Sequence, residues 1–140
     1  MRILILNGPN LNLLGTREPS VYGTRSFDDC LRELRVKHPS ASIDHFQSNL
    51  EGELIDRIHS APGNYDGIIL NAGGYTHTSV AIADAVAAIP VPVVEVHLSN
   101  LARREPFRHT SLLTPVCCGA ILGFGPESYE LALLHFLLQS

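Results

Sequence analysis

A chain of 140 residues with a net charge of −4 has room for one compact domain and little else. At 45% hydrophobic and 17% charged residues it reads as globular rather than disordered, and the acidic balance argues against a nucleic-acid partner, whose phosphates favour a basic face. No apolar run approaches the ~20 residues needed to span a bilayer, and the first residues lack the zones of a secretory signal, so no membrane partner and a cytoplasmic location are expected.

The first predicted strand covers residues 2–6 (Arg-Ile-Leu-Ile-Leu). A long connection from Gly8 to Arg25 follows with no periodic pattern. It exceeds the ~12–15 residues beyond which structureless loops are usually functional or disordered, and its leucines at 11, 13 and 14 favour a lid that orders over a ligand. Helical spacing then appears at 26–37, with Phe27, Cys30, Leu31 and Leu34 on one face. Strand 42–47, helix 51–60, strand 66–71, helix 79–89, strand 91–96, strand 117–122 and helix 127–138 complete the chain. This alternation predicts an α/β fold: a flavodoxin-like three-layer sandwich around a five-stranded parallel sheet, order 2-1-3-4-5. The last helix carries leucines on more than one side, which favours a deeply buried helix over a subunit contact.

The three cysteines form no even disulfide framework and have no zinc-ligand spacing, so Cys30, Cys117 and Cys118 are expected to be reduced structural thiols. Cys117 and Cys118 fall in the fifth predicted strand, pointing to opposite faces. The only lysine, Lys37, lies next to His38-Pro39 at a helix end, a solvated place unsuited to imine chemistry.

Ligands of open α/β sheets bind beyond the carboxyl ends of the strands. Here those ends read Asn7-Gly8-Pro9-Asn10, Gln47-Ser48-Asn49, Asn71-Ala72-Gly73-Gly74, then Glu95 followed by His97, Ser99 and Asn100. So many polar ends predict a pocket. There is no Gly-Lys-Ser/Thr phosphate loop and no dinucleotide glycine fingerprint. Glu95 and His97, two apart, share one face of a strand. They read better as a carboxylate orienting a histidine for acid–base work than, with His77, as metal ligands. Ser79 and Ser99 lack the setting of a covalent hydrolase nucleophile.

Four segments together resemble the type II 3-dehydroquinate dehydratases: NGPNLNLLGTREPSVYG at 7–23, QSNLEGELIDRIH at 47–59, NAGGYTHTSVAIAD at 71–84 and EVHLSNLARREPFRH at 95–109. They lie in family order and span nearly the whole chain. The resemblance implies a single catalytic domain, 1–140, with a lid at about 8–25. It implies a lyase that converts 3-dehydroquinate to 3-dehydroshikimate by trans-dehydration through an enolate, without metal, imine or other cofactor. That step serves the shikimate pathway to aromatic amino acids or quinate breakdown. By resemblance Tyr22 is the base for the C2 proton and Arg17 favours its tyrosinate. His97 is the acid for the C1 hydroxyl, Glu95 orients it, and Asn10 holds the water that stabilises the enolate. Asn71, His77, Asp84, Leu98, Ser99 and Arg108 match substrate-binding positions. The family builds dodecamers from trimers, with the position of Asp84 near a neighbouring subunit's site. Ionising a free tyrosine at pH 7 costs ~4 kcal/mol, which a nearby guanidinium can offset. Asp84, two helical turns beyond His77, would share its face if that helix began by Thr78. Ala72 stands where the family usually has proline, and Ala83 where a basic residue is frequent. The competing reading is a non-catalytic flavodoxin-like module that binds a small polar anion.

Overall fold

A computed structural model describes residues 1–16, 20 and 24–140. Five parallel strands, β1 (Arg2–Asn7), β2 (Ser42–Gln47), β3 (Gly67–Asn71), β4 (Val93–His97) and β5 (Gly119–Leu122), form one sheet in the order β2-β1-β3-β4-β5. Registers such as Ile5 opposite both His45 and Ile69, and Leu70 opposite Glu95, align the carboxyl ends of β1, β3 and β4 on one rim.

Side-chain alternation divides the core. Ile3, Ile5, Ile69, Val94 and Val96 face one layer, with α1 (Phe27–Lys37) and α4 (Glu127–Leu137). Leu4, Leu6, Ile68, Leu70 and Val93 face the other, with α2 (Glu51–His59) and α3 (Val80–Ala87). The central strands are covered on both faces, which is why they read as continuous apolar runs. Each fully buried Leu or Ile contributes about 1.5–3 kcal/mol. The order of strand addition reverses at β1, with β2 added on one side and β3 on the other, and between β1 and β3 lies the kind of switch point where a crevice opens.

The helices start and stop for local reasons. At α1, Ser26 accepts from Asp29 N–H while the Asp29 carboxylate accepts from Ser26 N–H, a capping box. Asp28 and Asp29 lie at its positive end, Arg35 and Lys37 at its negative end. Ser79 caps α3 by accepting from Ile82 N–H at 2.9 Å. α4 buries Tyr129, Ala132, Leu133 and Phe136 but leaves Leu131 and Leu134 exposed, so it is not the deeply buried helix expected.

Several boundaries move. His97, expected beyond β4, is its last residue and pairs with Leu122. Cys117 and Cys118 precede β5 instead of lying within it, because the 3-10 turn Thr114–Val116 takes the Cys117 N–H onto Leu113 C=O. Only the Cys118 N–H reaches the sheet, donating to Val93 C=O at 2.8 Å. The β4–β5 connection carries three 3-10 turns and no α-helix, and Leu113 plugs it into the core. The first half of the expected lid is likewise packed. Leu11–Leu13 form a 3-10 turn, Leu11 and Leu14 enter the core, and a Cβ on Gly15 would lie 2.9 Å from the Thr24 carbonyl oxygen. Arg17 and Tyr22 lie outside the described residues.

Candidate active site

The rim of β1, β3 and β4 borders a cleft of about 130 Å³. Asn10, Asn71, His77, His97, Leu98, Ser99 and Arg108, all expected from the sequence, line it. So do Leu11 and Leu14, which supply an apolar wall, and Arg104. The ionisable groups among the described lining residues are two arginines and two histidines, with no carboxylate. Such a lining favours an anionic ligand carrying hydroxyls.

Two-residue spacing along β4 brings Glu95 and His97 to one face, where His97 Nε2 and Glu95 Oε2 are 2.5 Å apart. Both side chains are almost fully buried. Glu95 also accepts from Ser111 Oγ at 2.9 Å and from Thr114 Oγ1 at 2.5 Å. Burial is the largest influence and opposes ionisation of Glu95. The hydrogen bonds from His97, Thr114 and Ser111 and the imidazole's charge outweigh it and hold the carboxyl below its usual range. A carboxylate acceptor fixes the proton on His97 Nε2 and leaves Nδ1 for the cleft. Both oxygens of Glu95 are thus occupied by hydrogen bonds, and no group of three or more metal-ligating side chains occurs among the described residues.

His77 is set the opposite way. Its Nδ1–H donates to the Thr110 carbonyl at 2.8 Å, which leaves Nε2 for the cleft. The two imidazoles lie nearly parallel, 6.4 Å between centroids. Arg108 Nε donates to Glu105 Oε2 at 3.0 Å, which restrains the guanidinium beside the cleft. That hydrogen bond, first among several influences, holds the exposed Glu105 carboxyl below its usual range.

Asn10 is the one non-glycine residue with positive φ among the described residues, at 70°. Asparagine tolerates this conformation better than most residues. Its N–H donates to Asn49 Oδ1 at 3.0 Å, so the chain turns sharply past the cleft mouth. Asn100, one of the polar strand-end residues, instead caps the turn Leu101–Arg103 by accepting from Ala102 N–H. Asp84 is exposed on α3 and does not line the cleft. The juxtaposition with His77 fails because His77 closes a separate 3-10 turn, Gly73–His77, and the Ser79 cap starts α3 only at Val80.

The family model for "Dehydroquinase class II" matches residues 1–137. The chain belongs to the class II dehydroquinases. It is 51% identical to the 3-dehydroquinate dehydratase of a Nitratiruptor species, covering 99% of this chain and 92% of the relative. It is 57% identical to the 3-dehydroquinate dehydratase of an Exiguobacterium species, covering 99% and 95%. The crystal structure of type II dehydroquinase from Butyrivibrio crossotus matches with a TM-score of 0.94 at 42% identity, covering 98% of this chain and 97% of that one.

In this class II dehydroquinase the supports of the site were not legible as site residues. Ser111, Thr114 and Glu105 appear in sequence as ordinary loop polars. Asn7 was visible only as one polar strand end among several. Tyr129 lies in the last helix, 122 positions from Asn7, yet the two side chains bond at 2.8 Å. Helical spacing could have found Tyr129 as buried, but its hydroxyl's partners are set by tertiary contact.

Proposed function

We propose that the chain is a 3-dehydroquinate dehydratase, a lyase removing water in trans from 3-dehydroquinate to give 3-dehydroshikimate through an enolate. The observation that carries this is the buried Glu95–His97 pair at a cationic cleft, in a chain matched by the class II family from residue 1 to 137. Family membership leaves the binding-only reading without support. The same step belongs to the shikimate pathway and to quinate breakdown.

In the division of labour proposed here, Tyr22 as phenolate takes the C2 proton, and the electron pair moves into an enolate at the neighbouring carbonyl. Arg17 favours the phenolate, since a guanidinium stays charged at any working pH. His97 then gives a proton to the C1 hydroxyl as the C1–O bond breaks, water departs, and the enolate collapses to the enone. The proton leaves from Nδ1 of the doubly protonated ring, because the Nε2–H stays committed to Glu95, and the ring ends as the neutral Nε2–H form. Asn10 holds the water that stabilises the enolate. Asn71, His77, Ser99, Arg108 and the Leu98–Ser99 backbone hold the substrate carboxylate and hydroxyls. A lid within residues 8–25 closes over it in one catalytic domain, and fixed dipoles in the closed site stabilise the enolate better than bulk water. No metal or other cofactor takes part.

The assembly proposed is a dodecamer of trimers in the cytoplasm, with Asp84 reaching a neighbouring subunit's site. The exposed position of Asp84 and the exposed leucines of α4 support it. Among the described residues no helix is long and apolar enough to cross a membrane.

Adding 3-dehydroquinate and following enone absorbance tests the reaction. Steady growth of absorbance is expected, and tight binding without it would overturn the reading. Arg17→Ala is expected to lower the rate and move the alkaline limb of the pH profile. An unchanged limb would count against tyrosinate activation.

A further inference from the structure

Behind the cleft runs a buried line of neutral polar groups, of which the proposed reaction uses only Asn71. Gly73 N–H donates to Asn71 Oδ1 at 3.2 Å. Asn71 Nδ2 donates to Tyr129 Oη at 3.0 Å, Tyr129 Oη–H donates to Asn7 Oδ1 at 2.8 Å, and Asn7 Nδ2 lies 3.3 Å from His45 Nε2. Asn7, Asn71 and Tyr129 are each at least 97% buried.

The direction of this line is forced from one end. A backbone N–H can only donate, so Asn71 must present its oxygen to Gly73 and its amide hydrogens to Tyr129. The tyrosine then has one proton to give, and Asn7 must receive it on oxygen. Asn7 Nδ2 is thereby turned to His45, whose Nε2 must be an unprotonated acceptor. What remains of Asn71 toward the cleft is one N–H and one oxygen lone pair in a fixed orientation.

We propose that Tyr129, Asn7 and His45 are positioning residues for Asn71: they fix which side of its amide meets the substrate and tie substrate affinity to an unprotonated His45 Nε2. This rests on the reading of Asn71 as a substrate-binding residue. Protonating Nε2 sets two donors face to face. Asn7 can answer by rotating, but Tyr129 Oη then meets two amide donors with no acceptor for its own proton, unless Asn71 reverses as well, and that reversal stops at Gly73, where the N–H has no way to reverse. Protonation therefore costs a buried hydrogen bond at Tyr129 or at Asn71, within the line that orients the substrate-facing amide.

The surroundings of His45 favour its neutral form. Burial, the largest influence, lowers its pKa; the Asp28 carboxylate opposes this and the Arg35 guanidinium adds to it. Both charges come from α1, which also lays the Phe27 ring against the imidazole at 4.3 Å between centroids, while β1 contributes the uncharged Asn7.

Two measurements test the chain. In steady-state kinetics with 3-dehydroquinate, Tyr129→Phe is expected to raise KM roughly tenfold, the scale of one buried hydrogen bond, with kcat changed less than about twofold. In the wild type KM is expected to climb as pH falls through the His45 titration. His45→Gln, which keeps an acceptor but does not titrate, is expected to flatten that climb. A wild-type KM profile superimposable on that of His45→Gln would overturn the proposal.

The second measurement needs no turnover. The Asn71 side-chain amide NMR signals should shift with the His45 titration in the wild type and lose that shift in His45→Gln. Their indifference to His45 would overturn the chain even in an active enzyme. If the wild type failed to dehydrate 3-dehydroquinate, the functional reading would fall and with it the assigned role of Asn71, whereas the amide shift would still decide whether the chain exists.

Discussion

The carboxyl ends of β4 and of β1 and β3 share one rim, yet they bury their polar groups by different means. At β4 an ionised carboxylate sits almost fully buried against an imidazole, and it is tolerable there because Ser111 and Thr114 add two donors from the next connection. At β1 and β3 every buried side chain is neutral: two amides and a phenol satisfy one another. Isolated buried charge is costly, whereas a fully paired neutral network is far less so. In the proposed reaction, charge lies where a proton has to move, and neutral dipoles lie where a substrate only has to be held.

The sharpest way to break this comparison is to remove the proposed proton donor. His97→Ala is expected to lower kcat by about 10²–10⁴-fold with ligand affinity nearly retained, and Tyr22→Phe likewise. Turnover near the wild-type rate in either variant would end the acid–base assignment. One step weaker is Glu95→Gln. It keeps the shape but removes the charge that orients His97, and kcat is expected to drop about tenfold to a hundredfold, the worth of a hydrogen bond to a charged group. A larger loss from Tyr129→Phe than from Glu95→Gln in kcat would invert the proposed division.

The neutral side has its own weak point. Gly8 N–H donates to Asn71 C=O at 2.7 Å, and a Cβ at position 8 would lie 2.5 Å from the Ala72 carbonyl oxygen. That oxygen is backbone and has little room to yield, so Gly8→Ala is expected to lower stability by about 1–3 kcal/mol in urea denaturation. A neutral outcome would mean that the two strand ends do not meet as closely as described.

The smallest effect separates the two regions by pH. Because Glu95 is held below its usual range, its contribution to stability is complete above the ordinary carboxylate pKa and is lost as pH falls through the lowered value. The urea midpoint of the wild type should therefore fall more between pH 7 and pH 4 than that of Glu95→Gln. Equal losses would place the acid sensitivity elsewhere.

Some of this is legible in the amino-acid sequence alone. Alternating apolar residues in strands and 3.6-residue spacing in helices are local properties, and they located nine elements to within a few residues. The β4 pair was legible for the same reason, since residues two apart on a strand share a face whatever surrounds them. Where the reading slipped, a local competitor had won. The Ser79 cap delayed α3 and separated His77 from Asp84, and the Thr114–Val116 turn postponed β5 past the cysteines.

By itself, then, the sequence determined the layers, the sheet's apolar strands and the pairing of Glu95 with His97, because each follows from periodicity within a few residues. Only the tertiary structure decided that Ser111 and Thr114 hold Glu95, that Glu105 restrains Arg108, and that Tyr129 from the last helix joins Asn7 and Asn71 from two strands. Those bonds need side chains brought together across the fold. Hydrogen-bond direction at such places is set by which neighbours can donate, and no spacing rule along the chain records who the neighbours are.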